Sequence, residues 1–133
     1  MDTYDPRSLP RVDAVDVVDL RRLSASPGSR PVQEAGSEPR TRLVGLSAQP
    51  FADAWRSLTP GDPARCHVPP VGLRFVVDGR IHLEASVCWR CNNLFGTCEG
   101  VELAYAFDSK SEAATALLAL TREVLDGAAA PGG

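Results

Sequence analysis

Hydrophobic and polar positions alternate differently in the two halves of the chain. Near the N-terminus, residues 14–20 (Ala-Val-Asp-Val-Val-Asp-Leu) are rich in valine with acids interspersed, which predicts a strand. Leu43-Val44-Gly45-Leu46 predicts a second, short one. Pro50 suits a first helical position, and Phe51, Trp55 and Leu58 follow at i, i+4 and i+7, so a short helix is expected near 50–58. Pro60-Gly61-Asp62-Pro63 ends it. Between these elements, residues 24–41 hold Pro27, Gly28, Pro31, Gly36 and Pro39 among polar residues. Such a composition buries too little apolar surface to offset chain entropy, and a mobile loop is expected.

The second half is more regular. Leu73 and Phe75, then Ile81, Leu83, Ala85 and Val87, recur at every second position, as half-buried strands do. Val101, Leu103, Tyr105 and Phe107 predict a third strand of the same period. Ser109-Lys110-Ser111-Glu112 has capping-box spacing, and Ala113, Leu117, Leu120 and Val124 give the helix behind it an apolar stripe that ends near Gly127. The fold class is therefore α+β: an antiparallel sheet of three to five strands, with a helix over 109–126 on one face. The chain reads as a single domain with an N-terminal strand region (1–23), the loop (24–41), a compact core (42–127) and a flexible tail (128–133).

Facing residues must share a side of the sheet, which constrains the turn at Asp78-Gly79. A two-residue loop pairs Leu73 with Glu84 and mixes apolar with polar positions. A three-residue loop, Val77-Asp78-Gly79, pairs Phe75 with Ile81 and Leu73 with Leu83, and is the expected register. One face then packs on the C-terminal helix. The other carries Arg74, His82, Glu84, Ser86 and Cys88.

Length and charge narrow the function classes. With 133 residues, 14 basic against 17 acidic side chains and no basic stripe, the chain does not fit a nucleic-acid binder. It has no apolar run of membrane-spanning length, and its first six residues lack the basic and apolar parts of a secretory signal. A cytoplasmic protein without membrane contact is expected.

The chemistry concentrates in four cysteines: Cys66, Cys88, Cys91 and Cys98. Cys88-Trp89-Arg90-Cys91 is a C-x-x-C, and His67 follows Cys66. Extending the expected register sets position 68 across from Cys88, and Cys66 across from Arg90, so the two stretches converge. Zinc wants four soft or borderline ligands in a tetrahedron. Cys66, Cys88 and Cys91 would supply three, and Cys98, His67 or His82 the fourth. A second reading is thiol–disulfide redox chemistry with Cys88 and Cys91, although Asn92-Asn93-Leu94-Phe95-Gly96 is a poor start for the helix that usually activates such a thiol. A disulfide from Cys66 to Cys88 or Cys91 is geometrically open, and inert buried thiols complete the range.

The run Cys66-His67-Val68-Pro69-Pro70-Val71-Gly72-Leu73-Arg74-Phe75, followed by Ala85-Ser86-Val87-Cys88-Trp89-Arg90-Cys91-Asn92-Asn93, resembles a group of small uncharacterised bacterial proteins. Their pattern is Cys, His or an aromatic, a proline and Gly-(Leu/Ile), with Cys-aromatic-x-Cys about twenty residues on. The likeness covers about residues 64–107. It implies that Cys66, Cys88 and Cys91 sit in a recurring core, and it implies no activity. Cys98 is outside the pattern.

The expected function is a non-enzymatic binding module. A structural zinc or a cysteine cross-link would hold the 88–98 loop, with Trp89 and Asn92-Asn93 at its tip, in shape for a protein partner. Three other features have ordinary explanations. His82 beside Glu84 is expected to be an exposed sheet-face histidine, Trp55 a core residue, and Asp13, Asp16 and Asp19 a solvated strand edge rather than a cation site.

Overall fold

A computed structural model of the chain describes residues 4–20, 40–62 and 70–129. Six strands form one antiparallel sheet: β1 (Ala14–Asp19), β2 (Arg40–Val44), β3 (Val71–Val77), β4 (Arg80–Cys88), β5 (Asn93–Cys98) and β6 (Val101–Ala106). Their order across the sheet is β2-β1-β3-β4-β5-β6. Two α-helices complete the fold, α1 (Gln49–Arg56) and α2 (Glu112–Ala129). The α+β class stands, but six strands exceed the expected three to five. The additional strand is β5, expected as loop because adjacent Leu94 and Phe95 and the central Gly96 hide its period.

Gly96 is in the strand for a steric reason. A Cβ there would lie 1.9 Å from the Glu84 carbonyl oxygen on β4, so no larger residue fits without moving backbone. Residues 21–39, which hold most of the expected mobile loop, lie outside the described residues, and Arg40 and Thr41 already belong to β2. The expected tail at 128–133 begins inside α2, which runs to Ala129.

Strand alternation separates the two faces of the sheet. Val15 and Val17 of β1, Leu73 and Phe75 of β3, Leu83, Ala85 and Val87 of β4, Leu94 of β5 and Leu103 of β6 join one hydrophobic cluster. The helices supply Phe51 and Trp55 from α1, and Ala114, Leu117 and Leu125 from α2. Trp55 meets Phe75 edge-to-face at 5.2 Å, and its indole N–H donates to the Tyr4 hydroxyl at 2.8 Å. The buried stripe of α2 is Ala114, Leu117, Thr121 and Leu125, with Ala113, Leu120 and Val124 flanking it. The helix is therefore turned slightly from the expected stripe. Thr121 is tolerated inside because its hydroxyl donates to the Leu118 carbonyl. The N-terminal cap is Ser111, whose Oγ accepts from the Ala114 amide at 3.2 Å.

The opposite face carries a transverse row of polar side chains. Arg42, Asp16, Arg74, Glu84, Thr97 and Glu102 are successive cross-strand partners from β2 to β6. Asp16 is fully buried and takes a two-pronged ion pair from Arg42, at 2.6 and 2.9 Å. Arg74 donates to Glu84 at 3.1 Å. The expected solvated edge at Asp13, Asp16 and Asp19 is thus corrected: Asp16 belongs to an ion pair, and Asp13 accepts the Asp78 amide at 2.6 Å.

The β3–β4 hairpin also differs from expectation. Its loop has two residues, Asp78 (φ 52°) and Gly79 (φ 77°), both left-handed as a tight hairpin of this twist requires. Val77 faces Arg80 and Val76 faces Ile81, but Phe75 faces Leu83, because a bulge at His82 adds one residue to β4. That extra residue restores apolar facing apolar, which a plain two-residue loop does not allow. Leu73 consequently faces Ala85 rather than Leu83.

Candidate functional site

β4 ends at Cys88, and the chain turns through Trp89, Arg90, Cys91 and Asn92 into β5. The Asn92 amide donates to the Trp89 carbonyl at 3.3 Å, and Asn92 takes φ 55°, a left-handed position that asparagine tolerates. Cys88 is 1% exposed, and its Sγ accepts the Cys91 amide at 3.3 Å, so the turn wraps around that sulfur. Cys91 is fully buried and disulfide-bonded. Cys88 and Cys98 are free thiols, so the two motif cysteines are not joined to each other. Cys66 and His67 lie outside the described residues.

The turn is fastened to its surroundings by side chains expected at its exposed tip. Trp89 is buried, donates its indole N–H to the Ala114 carbonyl at 2.8 Å, and meets Phe107 edge-to-face at 6.3 Å. Asn92 donates its side-chain amide to the Asp62 carbonyl at 3.2 Å, and its own carbonyl accepts the Phe107 amide at 3.0 Å. Asn93 is buried. Display of Asn92, Asn93 and Trp89 to a partner is corrected on this point, and Trp89 takes the covering position that its place between the two cysteines left open: among residues 88–93 only Arg90 is exposed. The reason is tertiary. The indole fills space against α2, and the Asn92 side chain ties the turn to the Asp62 carbonyl.

Cys98 stands apart from this turn. Cys88 faces Asn93 and Leu83 faces Cys98, so the two thiols are separated by five residues along the sheet, roughly 16 Å. Cys98 does not join Cys88 and Cys91 in one centre. A zinc ligand set is not assembled among the described residues: one motif sulfur is tied in a disulfide and the other accepts an amide proton.

A second constellation lies at the far end of β4. The Cys98 Sγ is 3.6 Å from His82 Nε2, and His82 Nδ1 is 3.3 Å from the Glu99 carboxylate. Glu99 (φ 49°) and Gly100 (φ 83°) make the two-residue turn between β5 and β6. The Glu99 amide donates to the His82 carbonyl at 2.9 Å. In a regular strand His82 and Leu83 would face opposite sides, and Cys98 is on the Leu83 side. The bulge at His82 relaxes that rule and lets the ring reach the thiol.

His82, expected to be exposed, is half-buried and paired with Glu99, whereas Glu84, two residues on, is bound to Arg74. A sequence signal for the turn exists in Gly100, but none marks the bulge. Burial, and secondarily the Glu99 carboxylate, push the Cys98 thiol up. Burial pushes the nearby Tyr4 up to about 12.

No known family, characterised relative or solved structure matches the chain.

Proposed function

We propose that the protein is a small binding module, without catalytic activity at the C-x-x-C turn, in which a Cys66–Cys91 cross-link clamps residues 88–92. The observation that carries this reading is the disulfide state of Cys91, with Cys88 and Cys98 both free. Of the chain's four cysteines, Cys66 is the one we assign as its partner. A cross-link of this kind stabilises chiefly by removing freedom from the unfolded chain. Its consequence here is a turn of fixed shape that offers Arg90 to a partner protein.

A disulfide persists best in oxidising surroundings. In the cytoplasm, the location suggested by the sequence, the bond would survive only if shielded from reducing thiols, and the complete burial of Cys91 supplies such shielding. Zinc held by reduced Cys66, Cys88 and Cys91, and a Cys88–Cys91 redox couple, remain distinguishable by the same experiment. Non-reducing peptide mapping with metal analysis is expected to give one linked pair, Cys66 with Cys91, and no stoichiometric zinc. About one zinc per chain with no linked peptide would overturn the clamp in favour of a metal centre. A Cys88–Cys91 link would favour redox chemistry. For the binding role, a partner retained by the wild-type protein should be lost by Arg90→Glu.

A further inference from the structure

We propose that Cys98, His82 and Glu99 form a nucleophilic thiol centre, separate from the C-x-x-C turn, that takes small disulfides as its substrate and carries a mixed disulfide on Cys98. The arrangement is a thiol within reach of an imidazole, whose other ring nitrogen lies against a carboxylate: 3.6 Å from Sγ to Nε2, and 3.3 Å from Nδ1 to Oε1. Nucleophile, base and orienting group thus stand in the sequence that thiol activation needs. The two ring nitrogens point to opposite sides of the imidazole, so the three groups bracket the ring and do not converge on a single ion. A relay fits this geometry and a metal site does not.

The resting thiol keeps its proton, since burial and the Glu99 carboxylate both oppose the thiolate. Reactivity then depends on His82 acting as a base during attack. The S–H bond of Cys98 breaks and its proton passes to His82 Nε2. The sulfur electron pair forms a bond to one sulfur of the incoming disulfide, whose S–S bond breaks. The departing thiolate collects the proton from His82 and leaves as a thiol. The small disulfide is the oxidant, and every atom and electron is accounted for. Glu99 is a positioning residue: it holds the imidazole with Nε2 turned to the sulfur and favours the protonated ring that appears in transit.

Disulfide exchange suits the site better than acyl transfer. A tetrahedral acyl intermediate needs amide donors aimed at its oxyanion. The amide following the thiol, Glu99 N–H, is already donated to the His82 carbonyl. Exchange between sulfurs develops no oxyanion. The free Cys88 is not a competitor, because it is 1% exposed while Cys98 is only half-buried. Tyr4, from the N-terminal segment, interacts with Cys98 and meets Tyr105 of β6 edge-to-face at 6.3 Å. Tyr4, pushed up to about 12, and Tyr105, also raised by burial, stay neutral across the range in which histidine titrates.

The test uses the full native chain with oxidised glutathione, and dithiobis-nitrobenzoate as a chromogenic probe. Modification should map to Cys98 and vanish in Cys98→Ser. His82→Ala should slow it on the order of a hundredfold at neutral pH. That deficit should close at alkaline pH, where hydroxide removes the proton directly, and added imidazole should restore the rate. Glu99→Gln, a change at an exposed side chain, should slow it several-fold with folding intact. Native Cys98 that does not react, or His82→Ala reacting at the wild-type rate, would overturn the proposal. So would a deficit that persists unchanged at high pH and ignores imidazole.

Discussion

The indole N–H of Trp89 donates to the main-chain carbonyl of Ala114 at 2.8 Å, tying the turn that holds Cys88 and Cys91 to the start of helix α2. Ala114 also receives the cap, through its amide, from Ser111. One residue therefore links helix initiation, the cysteine turn and the Phe107 ring that meets Trp89. Trp89→Phe removes the donor and leaves a buried carbonyl less well satisfied. A loss of about 2 kcal/mol is expected, from the hydrogen bond and the smaller ring together. Urea unfolding monitored through Trp55 measures it, and a neutral result would show that the bond contributes nothing.

The clamp has its own thermodynamic signature. Loop-closure entropy assigns roughly 3.5 kcal/mol to the proposed cross-link between residues 66 and 91. Cys91→Ala should therefore lower stability by about that amount under oxidising conditions. In excess reductant the wild-type protein and the variant should differ far less. Equal stabilities in both conditions would mean that the cross-link does not constrain the unfolded chain.

Gly96 is required by its neighbour rather than by its own backbone. With the Glu84 carbonyl oxygen 1.9 Å from where a Cβ on Gly96 would stand, Gly96→Ala must push β5 away from β4. The expected cost is about 3 kcal/mol, the upper end of what overpacking with a forced backbone shift usually costs. Thermal unfolding of the variant should show a large drop in Tm, or no soluble protein. A Tm within a degree or two of wild type would contradict the close approach of the two strands.

The Asp16–Arg42 pair should be asymmetric to mutation. The Asp16 side chain is 1% exposed, whereas that of Arg42 is 51% exposed. Arg42→Ala strands a buried carboxylate, and a loss of roughly 2 kcal/mol is expected. Arg42→Lys keeps the charge but not the fork of two donors, and should recover only part of it. Denaturant melts at low and high salt separate the contributions, because a buried pair is screened less than an exposed one.

Tyr4 should make stability fall in strong alkali. Its folded pKa, about 12, is above the ordinary 10.0 because burial disfavours the phenolate. Below pH 10 the contribution is fully present. Between about 10 and 12 the unfolded chain releases this proton while the folded chain retains it, so stability declines with rising pH. Tyr4→Phe should flatten that part of the curve. An unchanged alkaline slope would assign the effect elsewhere.

Much of the fold was legible because strand and helix periods are local. The alternation marked the buried side of β3, of β4 from Leu83 on and of β6 at Leu103, although Ile81 and Val101, expected on that side, are exposed. The spacing of Phe51, Trp55 and Leu58 marked the inner side of α1 and the turn behind it. β5 was not legible, since its glycine answers to a carbonyl on another strand. In the candidate site, the nearness of Cys88 and Cys91 followed from the motif. The inward direction of Trp89 did not, because the carbonyl it reaches belongs to a helix 25 residues away in sequence.

Local sterics require side chains to alternate, and so the amino-acid order alone determined which residues share a face within an unbroken stretch of strand. Ile81, expected beside Leu83, lies on the other face because the bulge comes between them. The order did not determine which residue meets which. A three-residue loop and a two-residue loop followed by a bulge give the same alternation from Leu83 onward, but they put Ile81 on opposite faces and differ by two positions in every pairing beyond the bulge. Only the folded sheet decided between them. That choice brought His82 to Cys98 and Glu99, because the added residue is accommodated where neighbouring strands, not neighbouring residues, leave room for it.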